Sequence, residues 1–240
     1  MKTPLKTCGT AVAVVALGLA LVGCGSDTKT DASSSASSTT KSSTEKSTEK
    51  SSSAKPSPSE VPAGANETIA DYIKNAGITE TAVKRGDPGA PTLDLPVPAG
   101  WREAGPDTPD YAWGAIVFDD PAAAADPPSI VALMSKLTGP VEAAKIFEYA
   151  PNELKNLPGF DAMGGEGSTS TLGGFDAFQF GGTYVKGGVK RMIAQKTVVV
   201  PAKDGDGLFV VQLNADGTED NIGPLMDATS EIDEKTTITP

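Results

Sequence analysis

The 240-residue chain contains no histidine and only two cysteines, Cys8 and Cys24, both near its beginning. A Ser-His-Asp triad, a Cys-His dyad, a His-ligated zinc and a four-cysteine zinc site are therefore excluded from the remainder. Aromatic residues make up 5% of the chain, and all of them fall between Tyr72 and Phe209. Positive charge is also scarce: 20 Lys and Arg stand against 31 Asp and Glu, a formal net charge of −11. With no basic cluster, the electrostatic footprint of a nucleic-acid binder is missing. The longest apolar run, Thr10 to Val22, is about 13 residues, short of the roughly 20 that span a bilayer core. No cofactor and no metal is expected.

What is present begins with an address. Lys2 and Lys6 precede the apolar run, the arrangement of a secretory signal peptide over residues 1–23. The run ends in Leu21-Val22-Gly23-Cys24, which resembles the lipobox of bacterial lipoproteins. That resemblance implies a mature chain starting at a lipidated Cys24, with no second thiol for a disulfide. Two or more acyl chains anchor stably, so residence on the extracytoplasmic face of the cell membrane is expected, with partial release as a further option.

Residues 24–65 form the second expected segment. From Gly25 to Pro58 there are 19 Ser and Thr in 34 residues, and no aromatic or branched aliphatic residue. Such a stretch cannot bury enough apolar area to offset the entropy of ordering it, so it reads as a tether. Its r.m.s. reach is about 35 Å by coil scaling. Residues 66–240 read as a single globular domain, and they hold the excess of acid: from residue 59 onward 13 positive charges face 27 negative ones.

Within the domain, Asn66 followed by Ile69, Tyr72 and Ile73, with Gly77 behind, has the cap, stripe and stop of a helix. Thr92 to Pro98 alternates, but its two prolines confine it to an edge. Strands are expected over Tyr111 to Phe118, Ser129 to Leu137, Phe175 to Val185, Val189 to Val200 and Gly207 to Leu213. Gly187-Gly188 and Asp204-Gly205-Asp206-Gly207 supply hairpin turns. A second helix should start at Pro140 with a stripe of Val141, Ala144, Phe147, Ala150 and Leu154. A third should start near Thr218 with Ile222, Leu225, Met226 and Ile232 facing inward. Strand runs with hairpin turns, bracketed by helices, give an α+β fold: an antiparallel β-sheet with helices packed against it.

Several motifs invite chemistry and do not carry it. Asp204-Gly205-Asp206-Gly207 lacks the further oxygen ligands of a calcium loop, since the twelfth position is Ala215. Asn214-Ala215-Asp216-Gly217 reads as a further turn leading into the third helix. Gly164 to Gly174 is Gly-rich but lacks the Gly-Lys-Ser/Thr ending of a phosphate loop, and reads as a connection. Carboxylate pairs such as Asp119 and Asp120 arise by chance among so many acids. The aromatics are more informative: Trp101, Trp113, Phe147, Phe178, Phe180 and Tyr184 lie on or beside elements that should enclose the core. Core packing is one reading; the other has these six line an apolar ligand groove between a helix and the sheet.

Ile69-Ala70-Asp71-Tyr72-Ile73, Asp94-Leu95-Pro96 leading to Gly100-Trp101, Ser135-Lys136-Leu137-Thr138-Gly139 and Tyr149-Ala150-Pro151-Asn152-Glu153-Leu154 look like one family. With Ala194 to Pro201, Gln212 to Asp216 and the closing Thr236-Thr237-Ile238-Thr239, they resemble the LpqN/LpqT lipoproteins of mycobacteria and related actinobacteria. The resemblance implies an α/β/α sandwich of the PsbP/Mog1-like type, with helices on both faces of the sheet. It also implies an envelope lipoprotein whose partners are the membrane, trehalose mycolate-type glycolipids and large lipid exporters. No catalytic residue transfers with it. The expected function is thus non-enzymatic binding of envelope glycolipid or lipid-transporter components; the alternative is a protein-protein interaction module, one that could act on host proteins after release.

Overall fold

A computed structural model of the chain describes residues 65–240. The expected signal peptide, Cys24 and nearly all of the expected tether lie outside the described residues. Among those described, eleven strands and four α-helices follow in chain order: α1 Ile69–Ala76, β1 Thr79–Ala82, β2 Thr92–Asp94, β3 Trp101–Glu103, β4 Gly114–Phe118, β5 Ser129–Thr138, α2 Ala143–Tyr149, α3 Asn152–Lys155, β6 Asp161–Ala162, β7 Ser168–Leu172, β8 Phe175–Lys186, β9 Val189–Pro201, β10 Leu208–Thr218, α4 Ile222–Lys235 and β11 Thr237–Thr239.

The main sheet has nine strands in the order β3-β4-β5-β10-β9-β8-β6, with β1 added beside β5 and β7 beside β8. All its pairs are antiparallel. β2 and β11 form a separate two-stranded sheet that closes the C-terminus. Side chains alternate across the sheet, and the two sets bury against different helices. Val198, Val200, Phe209, Val211, Leu213, Ile130 and Ala132 pack with Leu225, Ala228 and Ile232 of α4. Val199, Leu208, Val210 and Leu137 pack with Ile69, Tyr72 and Ile73 of α1 and Ile146 of α2. Helices therefore cover both faces, as expected for an α/β/α sandwich.

Local chemistry explains where the elements begin. Thr68, not Asn66, caps α1: its Oγ1 accepts from the Asp71 N–H while Asp71 Oδ2 accepts from the Thr68 N–H, a capping box. Asn66 instead donates its backbone N–H to Asn156 Oδ1, fastening the start of the domain to the end of α3. The second helix also departs from expectation. Pro151 cannot continue a helical ladder, so one expected helix becomes α2 and α3, and Ile146 is fully buried where the stripe placed the exposed Ala144.

The strand forecast is corrected at several places: the short strands β1, β3, β6 and β11 were not expected, and β4 starts at Gly114 rather than Tyr111. β10 runs through Asn214-Ala215-Asp216-Gly217 to Thr218, where a turn was expected. The polar residues are tolerated because Asn214 and Asp216 find partners on β9 and β8, while Leu213 and Ala215 face α4. The Gly-rich connection contains a strand, β7, that pairs with β8 along Ser168↔Gln179 to Leu172↔Phe175.

A groove between the last helix and the sheet

β8 and β9 form a long ribbon whose α4-facing side carries Gln179, Gly181, Ala194 and Lys196. Gly181 and Ala194 are register partners with almost no side chain, so the space between the ribbon and α4 is left unfilled there. A groove of about 550 Å³ results, bordered by Ile130, Leu213 and Ala215 from the sheet, Met226, Thr229 and Ile232 from α4, and Met163, Gly167 and Ser168 from the segment before and into β7. Its floor is apolar. Polar groups mark its edge, where Lys196, with a side chain only 10% exposed, pairs with Asp233 at 2.6 Å and ties the sheet to α4. Met163 and Met226 stand at the groove 52% and 63% exposed. Met226 was expected to face inward; the inward positions of α4 are Leu225, Ala228 and Ile232. Flexible, polarisable methionines at an opening suit an apolar ligand of irregular shape.

The six aromatics proposed from sequence do not come together. Phe180 is among the residues around this groove, but it lies between Gln179 and Gly181 and turns its ring to the other side of the sheet, where it stacks at 5.4 Å against Phe160 and lies 5.6 Å from Lys155 Nζ of α3. Trp101 is buried against Phe118 at 5.6 Å. Trp113 lies under the Arg85 guanidinium at 4.6 Å and borders a separate cleft of about 30 Å³, room for little more than a water. Phe147 and Phe178 pack against the opposite core, beneath α1 and α2. Tyr184 is buried on that same opposite side of the sheet, hydrogen-bonded to Asp216. The twofold alternation of strands divides them between faces, so they serve packing in two places. Sequence did not reveal that Met226, Ala194 and Gly181 would frame the opening, because the role of the two small residues is to leave space.

The side of the sheet facing α1 to α3 is unusually polar beyond its core. Gln195 donates through Nε2 to Glu153 Oε2 at 3.2 Å and to Asn214 Oδ1 at 2.9 Å. Burial pushes the Glu153 carboxyl above its ordinary value of 4.5, and the Gln195 amide only partly opposes this. A carboxyl whose folded pKa is raised binds more protons in the folded state, so stability falls as pH rises through the window above about 4.5. Glu153→Gln is therefore expected to raise the Tm at pH 7 by a few degrees and to change it little at pH 4. Thermal unfolding at the two pH values checks this, and an equal shift at both refutes the assignment.

Arg191 completes that side: its guanidinium donates to Asp216 and Asp126, and the Tyr184 hydroxyl donates to Asp216 Oδ2 at 2.6 Å. Burial and the Asp216 contact hold the Tyr184 phenol above its ordinary range, so it stays neutral.

The family model described as "Probable lipoprotein LpqN" matches residues 65–239. The chain belongs to the LpqN lipoprotein family. Lipoprotein LpqN of Mycobacterium tuberculosis H37Rv is 56% identical over 230 residues, 96% of this chain and 97% of that protein. The similarity thus extends well outside the domain into the N-terminal segment. A crystal structure of LpqN, described as involved in cell envelope biogenesis of Mycobacterium tuberculosis, is 54% identical with a TM-score of 0.69, covering 74% of this chain and 100% of that one. A Saccharomyces cerevisiae Ran-binding protein Mog1p structure is 14% identical with a TM-score of 0.37, covering 66% of this chain and 95% of that one. As a member of a lipoprotein family the chain is a membrane-anchored type of protein.

Proposed function

We propose that this protein is a lipid-anchored, non-enzymatic accessory of cell envelope biogenesis whose domain holds the acyl part of an envelope glycolipid in the groove between α4 and the β8–β9 ribbon. The observation that carries this reading is the groove itself: about 550 Å³ with an apolar floor, a hydrogen-bonding rim and two exposed methionines at its opening. Such a volume takes an acyl chain of moderate length, with sugar hydroxyls meeting Lys196, Asp233, Gln179 and Ser230 at the rim. The identity with an envelope-biogenesis lipoprotein of a mycobacterium supports a ligand of the trehalose mycolate class and a role beside a lipid exporter.

Ala194 tests the reading, because it is exposed and lies on the groove wall. An indole at that position fills space without entering a core. Titrating 6-O-palmitoyl trehalose should move amide signals of α4, β8, β9 and residues 163–168, and Ala194→Trp should weaken binding at least about ten-fold, the equivalent of two lost methylene contacts. The Tm should stay within about 2 °C of wild type. Signals that move only elsewhere, or affinity unchanged in the variant, would exclude this groove.

A further inference from the structure

The groove accounts for the middle of the β8–β9 ribbon and leaves its tip without a role. The strands are joined by Gly187-Gly188, with φ of 60° and 81°, the left-handed values that a two-residue hairpin turn requires. The register pairs Lys186 with Val189 and Val185 with Lys190. Directly opposed residues project to the same side, so each side of the tip presents one valine and one lysine. Val185 is 41% and Val189 50% exposed, and nothing lies within 4 Å of the place a Cβ would take at either turn glycine. One exposed valine needs no explanation. Two valines, each beside a lysine, flank an open turn and make an amphipathic wedge, with Val185 braced from behind by Pro158 and Gly159.

Charge distinguishes this tip from the rest of the domain. From residue 59 onward the chain carries 13 positive and 27 negative residues, yet the four residues flanking the turn are two valines and two lysines. Lys186 makes no ion pair among the described residues, and Lys190 pairs at 2.8 Å with Glu219, both groups about half exposed. A pair so exposed contributes little and exchanges readily for a phosphate.

We propose that the tip of the β8–β9 ribbon is a contact site for an anionic lipid surface, with Val185 and Val189 entering the headgroup boundary and Lys186 and Lys190 reaching lipid phosphates. Lysine stems lie along apolar surface while their heads stay wet, which is the arrangement such a boundary rewards. A ribbon tip offers too small a face for a stable protein interface of roughly 800 Å² per partner. The side of the ribbon that bears Val185 continues through Thr183 and Met192 to Gly181 and Ala194 of the groove wall. That is four residues, or about 13 Å, so a docked tip holds the groove close to the bilayer surface. The contact stands whether or not the groove takes a glycolipid.

The test uses residues 65–240, without tether or anchor. Both hydrophobic cores are built between Ile69 and Ile238, and the solved relative is matched over its whole length by 74% of this chain, so this portion folds alone. Vesicles of phosphatidylcholine with about one-third phosphatidylglycerol, at millimolar lipid, should carry the domain on flotation; pure phosphatidylcholine vesicles should carry several-fold less, and salt should reduce the bound fraction. Val185→Asp/Val189→Asp and Lys186→Glu/Lys190→Glu should each cut binding about ten-fold with unchanged circular dichroism and Tm, and Ala194→Trp should float like wild type. Absence of wild-type flotation, or flotation kept by the valine double variant, overturns the proposal. Flotation lost in Ala194→Trp and kept in the valine variant assigns the contact to groove lipid and overturns it equally.

Discussion

Arg191→Ala is expected to lower the free energy of unfolding by about 3 kcal/mol, within the range found when one partner is removed from a buried ion pair. The Arg191 side chain is 8% exposed and Asp216 21%, so their contact is shielded from water, whereas Asp126 is 53% exposed. Arg191 Nε donates to Asp216 Oδ1 at 2.9 Å, and Nη1 reaches Asp126 in the connection between β4 and β5. One guanidinium thus joins β9, β10 and that connection. Deleting it leaves Asp216 with the Tyr184 hydroxyl as its remaining side-chain donor among the described contacts, and the cost is mainly that of a partly buried carboxylate without its counter-charge. Arg191→Lys should recover part of the loss, since a single ammonium cannot reproduce the fork. Asp126→Ala should cost less than about 1 kcal/mol, because its carboxylate is half in water. Urea unfolding of the three variants checks the ranking; an Arg191→Ala loss below about 0.5 kcal/mol, outside this expectation, would show that the network is incidental.

The same network shows why the end of β10 was not legible. In one sequence, Asn214-Ala215-Asp216-Gly217 has the composition of a turn. The residues that make it a strand are 19 and 25 positions earlier: Gln195 donates to Asn214 and Arg191 to Asp216. Nothing local signals such partners. β5, β8 and β9, by contrast, were legible because each is a run of ten or more residues rich in branched or aromatic side chains and free of proline before its last residue, and one Gly pair, Gly187-Gly188, marks the reversal between β8 and β9. β7 escaped because Ser168-Thr169-Ser170-Thr171 is polar on both sides and only Leu172 enters a core. The order of helices around the strand run showed that helices pack against the sheet; that they cover both of its faces was implied by the family resemblance.

The site was legible to a smaller degree. Aromatic residues attract attention as ligand binders, yet most of those singled out here fill one core or the other, since a strand sends alternate side chains to opposite layers. A groove is made by what is small. Gly181 and Ala194 reveal themselves only once the register sets them opposite one another and α4 is laid across. Lys196 illustrates the same limit: a lysine in a valine-rich strand reads as an outward residue, and its 2.6 Å contact with Asp233 exists only through the tertiary fold.

Gly207→Ala is expected to cost about 3–5 kcal/mol, comparable with emptying a core position. Gly207 closes the Asp204-Gly205-Asp206-Gly207 turn with φ of 85°, and an added Cβ would overlap the carbonyl oxygen of Leu137 on β5. Two costs combine. An L side chain at positive φ loses roughly 1–2 kcal/mol, and the displaced atom is backbone of β5, held at Leu137 between Leu208 of β10 and Glu80 of β1, so it cannot yield by rotating a side chain. Gly205 separates the two terms. It has φ of 74° but open space around its would-be Cβ, so Gly205→Ala should show the conformational cost alone. A loss at position 207 exceeding that at 205 by about 2 kcal/mol or more in urea unfolding assigns the difference to the β5 contact. Equal losses would mean that the turn slides away from β5, and that the Lys136–Asp204 pair at 2.9 Å does little to hold it there.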